Sequence, residues 1–269
     1  MTLPERPLSD TWERGDPYED YVGRWSRRVA PEFLALLGIP AGRRWLDVGC
    51  GTGALCAAIV DHCAPSSVIG IEPSEGFLKT ARVNLAGRAL IHPGSATAIP
   101  MDDDEVDVVV SGLVLNFIPD PRAALAEMVR VAASGATLGA YVWDYSGKME
   151  LMRHFWDAAV ALDKDAVRLD EATRFPLCRP EPLLELVSGA GLDRAAVTAI
   201  DISTPFVSFE DYWRPFLGGQ GPAPAYAMSL DEGDRTSLRE QLRSRIPVQA
   251  DGSLVLSARA WAVWGTVSK

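Results

Sequence analysis

Apolar and polar positions follow two different periods along this chain. From about residue 43, short apolar runs read as strands: Arg43 to Val48, Val68 to Ile71, Ala89 to His92, Val106 to Val110 and Thr137 to Trp143. Between them the composition turns helical. Ala54 to Cys63 and Ser74 to Leu85 are two such stretches. A third, 121–133, opens with proline in a first helical turn and repeats Leu125, Met128, Val129 and Ala132 at helical spacing. Strands that are apolar throughout are buried on both faces, and strands that alternate with helices are joined by crossovers. The pattern therefore predicts a parallel sheet wound with helices.

Beyond residue 146 the alternation loosens. Residues 149–162 place Met152, Phe155, Trp156 and Ala159 on one helical face, and 180–190 read as a short helix stopped by Gly191. Strand-like stretches at about 195–203 and 254–266 flank DYWRPF, GGQGPAPAY and a polar helix around 234–243. Such a separation is too long for an ordinary loop and predicts an ordered insertion over the ligand crevice. Ahead of the core, 18–38 concentrates Tyr18, Tyr21, Arg24 and Trp25, then becomes an amphipathic helix with Phe33, Leu36 and Leu37. The expected organisation is one domain over 1–269, with an N-terminal helical cap at 1–42, a core at 43–145 and insertions at 146–180 and 207–250.

Composition narrows what such a domain does. With 269 residues, 48% of them hydrophobic, the chain buries a sizeable core. It holds no apolar run of membrane-spanning length, and MTLPERPLSD lacks the features of a secretory signal, so the expectation is a cytoplasmic protein without a membrane partner. Cys50, Cys56, Cys63 and Cys178 form no metal-binding spacing and read as small core thiols. A net charge of −10 repels a phosphate backbone, which argues against nucleic acid as a partner.

The candidate chemistry lies in WLDVGCGTG, residues 45–53. A glycine-rich turn between a first strand and a first helix lets a ligand approach the backbone. Gly49, Gly51 and Gly53 follow G-x-G-x-G, one residue short of the dinucleotide spacing, with Ala54 where the next glycine or alanine begins the helix. Asp47 sits inside the strand, where an ionised carboxylate needs a cation or hydrogen-bond donors. Glu72 ends the second strand, where an acid accepts ribose hydroxyls. A further turn at Gly94, Ser95 and Ala96 follows the third strand, and the fourth ends at Ser111.

These residues resemble a class I S-adenosylmethionine-dependent methyltransferase, most of all the subgroup with quinone-biosynthesis and small-molecule enzymes. The resemblance covers about 43–145 and reaches the C-terminal strands more loosely. It implies a Rossmann-like, seven-stranded, mostly parallel sheet with helices on both faces, the last strand antiparallel, and a helical cap. It also implies S-adenosylmethionine as cofactor. Asp47 and the turn Gly49, Cys50, Gly51, Thr52 and Gly53 would hold the methionyl part; Glu72 would hold the ribose, with Pro73 beside the adenine. The family usually has Gly-Asp-Ala after strand three; here Ser95, with Ala96 and Thr97, takes the place of the acid. Ser111, Leu113 and Asn116 occupy the stretch after strand four, where the family often has a histidine. Arg24, Trp25 and Ser26 are candidates for closing on the methionyl carboxylate, and equally for a helix packed on the sheet.

Methyl transfer from a sulfonium is an in-line displacement, so the protein's main task is alignment and exclusion of water. A general base is needed only for a protonated acceptor. Candidates are Asp144 and Tyr145 at the end of the fifth strand and His154 in the following helix; each also reads as an ordinary loop or helix residue. Phe155, Trp156, Trp213, Phe216 and Tyr226 suit the wall of an apolar or aromatic small-molecule site. Two other functions stay open on the sequence: a nicotinamide-dependent oxidoreductase, and a cofactor-binding protein without turnover.

Overall fold

The computed structural model describes residues 19–218 and 221–269. Within these the chain forms two compact units. The larger comprises Trp25–Trp143, Leu177–Ile200 and Ala260–Lys269; the smaller comprises 19–24, Asp144–Pro176 and Asp201–Arg259. Residues 1–18 of the expected cap, Tyr18 among them, lie outside the described residues.

A seven-stranded sheet organises the larger unit, in the order β3-β2-β1-β4-β5-β7-β6. The strands are β1 (Arg44–Val48), β2 (Ser67–Glu72), β3 (Leu90–Pro93), β4 (Val106–Gly112), β5 (Ala132–Trp143), β6 (Leu192–Phe206) and β7 (Leu254–Val267). β1 pairs in parallel with β2 on one side and β4 on the other, placing Asp47 opposite Gly70 and Val110. β7 runs antiparallel to β5, with Tyr141 opposite Ala262. The apolar runs are buried as their composition demands: Trp45, Leu46, Val109, Val110 and Leu138 are fully enclosed. Strand order reverses direction at β1 and β4, and in such sheets ligands bind beyond the carboxyl ends of the strands at that point.

Helices α1 (Arg24–Leu37), α2 (Ala54–His62), α3 (Glu75–Leu85) and α4 (Pro121–Val131) belong largely to this unit. Ser74 caps α3 by accepting from the Phe77 amide, and Asp120 caps α4 by accepting from the Ala123 amide. Two details depart from the sequence reading. α1 buries Trp25, Val29, Phe33 and Leu34; of the expected positions Phe33 is buried and Leu37 half-buried, whereas Leu36 is 37% exposed. β5 begins at Ala132, straight out of α4, with a register shift where Val106 pairs with Ala132 before regular pairing resumes at Val108. Such an irregularity leaves no hydrophobic period to read. Phe33 packs its ring 4.7 Å from that of Tyr141.

The smaller unit is helical: α5 (Glu150–Leu162), α6 (Glu171–Arg174), then, after α7 (Pro180–Gly189) of the larger unit, α8 (Phe209–Trp213), α9 (Pro222–Ser229) and α10 (Glu232–Arg245). Short 3₁₀ segments lie at Lys164–Arg168 and Arg214–Gly218, and Glu19–Gly23 is a π-helical turn. Among the described residues the expected insertion at 207–250 is largely helical. Its core is aromatic. Phe155 stacks on Phe216 at 4.5 Å and meets Trp156 edge-on at 5.2 Å, and Trp156 lies 5.6 Å from Tyr226. Arg153 clamps Asp170 through two hydrogen bonds, at 2.8 and 2.6 Å. Among the described residues no helix is long and apolar enough to cross a membrane.

Candidate functional site

The turn after β1 is built from three glycines with positive φ, at +76° for Gly49, +53° for Gly51 and +88° for Gly53. Two of them matter for different reasons. A Cβ on Gly49 would stand 2.6 Å from Val114 Cγ1, so only glycine lets the loop after β4 close against the turn. A Cβ on Gly51 would meet nothing within 4 Å, so here the bare backbone borders open space. The turn is held from both sides. The Gly49 and Cys50 amides both donate to the Ile71 carbonyl, at 2.9 and 3.0 Å. From α3, Asn84 Nδ2 donates to the Thr52 carbonyl at 2.9 Å.

α2 starts directly from Gly53, whose left-handed backbone leaves the helix without a side-chain cap. First-turn amides without a cap accept an anionic group, helped by the helix dipole. The methionyl carboxylate is a group of that kind.

Two acids lie beside the turn, and burial raises both. Asp47 is 1% exposed; its Oδ2 accepts from the Cys56 thiol at 3.2 Å, and its Oδ1 has no partner among the described residues. Burial pushes its carboxyl up to about 7, against the lowering effect of Cys56. Glu72 spans the turn and the start of α3, accepting from the Gly51 amide at 3.1 Å and the Ser74 amide at 2.9 Å. Burial raises its carboxyl, and those two amides work in the opposite direction.

The other expected residues of this edge gather around the same strand ends. Ser111, fully buried, donates to the Val48 carbonyl at 2.8 Å and locks β4 to β1. Leu113 takes φ +64°, a conformation costly for a branched side chain, and donates its amide to the Tyr141 carbonyl at 2.7 Å. Asn116 lies in a 3₁₀ turn, Leu115–Phe117, with a buried Nδ2 that has no partner among the described residues. Gly94 donates to the Glu72 carbonyl at 3.3 Å, which brings its turn to the same edge, with Pro73 exposed beside Glu72. Ser95 and Thr97 pair through their hydroxyls at 3.0 Å, and Ala96 between them is half-buried. Asn84 was absent from the sequence reading, and Cys56 entered it only as a small core thiol. Neither falls in a motif; only their helical phase toward the turn marks them.

The remaining candidates lie elsewhere. Trp25 and Ser26 are buried in the larger unit. Arg24 is in the smaller one, 3.1 Å from Asp211 and with its guanidinium 4.7 Å above the Phe206 ring. Asp144 accepts from Ser146 Oγ at 3.2 Å and the Lys148 amide at 3.1 Å, so both its oxygens serve the turn that leads into α5. Tyr145 is buried, 5.9 Å from the Phe175 ring. His154 is half-buried, and burial lowers its pKa. Phe155, Trp156, Trp213, Phe216 and Tyr226 come together in the aromatic core of the smaller unit, with Trp213 6.0 Å from Phe216. Glu171, which sequence reading passed over, is buried against Trp156, whose indole donates to it.

Residues 46–139, the segment that carries the turn, both acids and β4, match the family model described as a methyltransferase domain. That segment is similar to class I S-adenosylmethionine-dependent methyltransferases. The chain is 37% identical over 113 residues to the demethylmenaquinone methyltransferase of Shouchella clausii, a match that covers 40% of this chain and 48% of that one. It is 33% identical over 139 residues to an uncharacterised protein of Mycobacterium tuberculosis, 51% of this chain and 50% of that one. The chain thus spans about half the length of the curated relatives it matches. Among solved structures, the methyltransferase fold recurs in phosphoethanolamine N-methyltransferase 2 of Haemonchus contortus in complex with S-adenosyl-L-methionine. The TM-score is 0.57 at 14% identity, over 99% of this chain and 61% of that one.

Proposed function

We propose that this methyltransferase domain binds S-adenosylmethionine at the turn 49–53 and transfers its methyl group to a small apolar or aromatic molecule. The observation that carries the reading is Asp47: a buried acid with one unpartnered oxygen, beside a three-glycine turn that runs into an uncapped helix. An ammonium group is the partner such a carboxylate lacks, and a carboxylate is the partner such a helix end lacks. The methionyl part of the cofactor carries both.

When bound, the cofactor supplies a methyl group already activated by its sulfonium. The chain's own residues do the positioning. Asp47 holds the ammonium, the amides of the turn and of α2 hold the carboxylate, and Glu72 turns its oxygens to the ribose. Gly49 allows Val114 and Leu113 to close the site against water, and Asn84 keeps the turn in register. Alignment of this kind supplies roughly 7–11 kcal/mol of a displacement barrier, with no base required. The acceptor is assigned to Phe155, Trp156, Trp213, Phe216 and Tyr226, and their gathering in one aromatic core supports that assignment.

The test is a binding series with S-adenosylhomocysteine. Asp47→Ala and Gly51→Val should each abolish binding, and Glu72→Ala should weaken it. Wild-type affinity in all three would overturn the proposal.

A further inference from the structure

Besides Asp163 Oδ2 and Thr204 Oγ1, the smaller unit buries two further polar atoms that have no partner among the described residues, the Tyr21 hydroxyl and Glu171 Oε1. Both residues are 1% exposed. Their neighbours show the ordinary solution. Tyr212 donates its hydroxyl to the Leu151 carbonyl at 2.9 Å, and Asp170 both receives Arg153 and caps α6 by accepting from the Ala172 amide at 2.9 Å. An unpaired buried donor or acceptor costs about 1–3 kcal/mol, so two in one core call for a reason.

Their placement is fixed by what surrounds them. The Arg153–Asp170 clamp anchors the start of α6, and the Trp156 indole takes Glu171 Oε2, which leaves Oε1 open. Tyr21 sits on the π-helical turn with its ring edge-on to Phe216 at 5.4 Å, and Phe216 stacks on Phe155. The titratable groups whose charge acts on Tyr21 are Glu171, Tyr145 and Tyr212; those whose charge acts on Glu171 are Asp170 and Arg174. Burial pushes the Glu171 carboxyl up to about 8, so at neutral pH it is an uncharged acid able to donate or accept.

We propose that Tyr21 and Glu171 are the polar anchors of a ligand subsite in the smaller unit, whose occupant is an uncharged aromatic molecule bearing a hydroxyl group. One hydroxyl satisfies both atoms, because it can donate to one and accept from the other, while its ring replaces contacts among the aromatic side chains. Both atoms are closed from water, so entry requires the turn bearing Tyr21 to shift; π-helical turns recur at functional sites. That this occupant is the methyl acceptor rests on the reading above. That it binds here does not.

The experiment is calorimetric titration of the full chain with 1-naphthol, with naphthalene and with 1-naphthylmethylamine, in wild type, Tyr21→Phe and Glu171→Gln. S-adenosylhomocysteine is titrated into the same preparations. The wild type should prefer naphthol over naphthalene by at least about tenfold, since naphthalene leaves both groups unpaired. Each variant should reduce that preference to a few-fold and leave binding of the homocysteine ligand unchanged. Tyr21→Phe removes a hydroxyl without a partner and should fold as well as wild type, so it decides the matter even if Glu171→Gln does not fold. Equal wild-type binding of naphthol and naphthalene, tighter binding of the amine, or an undiminished preference in Tyr21→Phe would each overturn the proposal. Failure of the homocysteine ligand to bind, with naphthol selectivity intact, would instead overturn the methyltransferase reading and leave the subsite standing.

Discussion

Asp47 in the sheet unit and Glu171 in the helical unit are the same physical object in two settings. Each is a fully buried carboxyl with one oxygen held by a single side-chain donor, the Cys56 thiol or the Trp156 indole, and the other oxygen unpartnered. Burial raises each, to about 7 and about 8. What separates them is how the backbone around them is made. Asp47 leads into a turn that demands glycine at fixed positions, and that demand is written in the sequence. Glu171 sits in a single turn of helix, E-A-T-R, that reads as an ordinary polar loop. A costly buried acid announces itself only where its surroundings also constrain residue identity.

The largest effect should come from the backbone side of this contrast. Gly49→Val forces a Cβ onto Val114 at 2.6 Å and a branched side chain into φ +76°. Binding of S-adenosylhomocysteine should fall at least about a hundredfold, with roughly 1–3 kcal/mol lost from stability, read by calorimetry and thermal melting. Glu72→Ala comes next. It removes the acceptor for the Gly51 and Ser74 amides and should weaken binding by about ten- to a hundredfold, since hydrogen bonds to a charged group contribute about 1.5–3 kcal/mol.

The two buried acids are separated most sharply by pH and by conservative substitution. Both folded-state values lie above the ordinary values of 3.8 and 4.5, so the unfolded chain gives up its protons first. The stability each acid contributes is therefore complete below about pH 4. It is lost as pH rises, through about 7 for Asp47 and about 8 for Glu171, by a few kcal/mol for each. Asp47→Asn and Glu171→Gln should each flatten that fall in denaturant-melt stability between pH 4 and pH 8. Only Asp47→Asn should also weaken homocysteine-ligand binding. Equal effects of the two variants on that ligand would erase the distinction between the units. The smallest effect belongs to Asn84→Ala, which frees the Thr52 carbonyl and should cost about three- to tenfold in binding, as one neutral hydrogen bond does.

Much of the larger unit was legible because its signals are local. β1, β2 and β4 begin and end within two residues of their apolar runs, and α2 and α3 within one. The antiparallel placement of β7 came from the family resemblance, since no period states which neighbour a strand will take. The smaller unit was far less legible. The one-turn helix α8 and the 3₁₀ segments are too short to show a period, and their caps, Ser208 for α8 and Asp170 for α6, look like any polar loop residue. In α1 Phe33 is buried as its period predicts, while Leu34 is buried and Leu36 exposed, because neighbouring phases both offer leucine and only packing on the sheet chooses between them. Asn84 and Glu171 act through tertiary contacts across 32 and 15 residues, and neither spacing belongs to the pattern that marks the turn and Glu72.

The central claim, that the turn 49–53 seats S-adenosylmethionine, is tested most directly by calorimetric titration of the wild-type chain with S-adenosylmethionine, S-adenosylhomocysteine and NAD(H) in parallel. Micromolar binding of the first two and none of the third is the expected result. Binding of NAD(H) alone would contradict it, and would move the chemistry of this turn to hydride transfer.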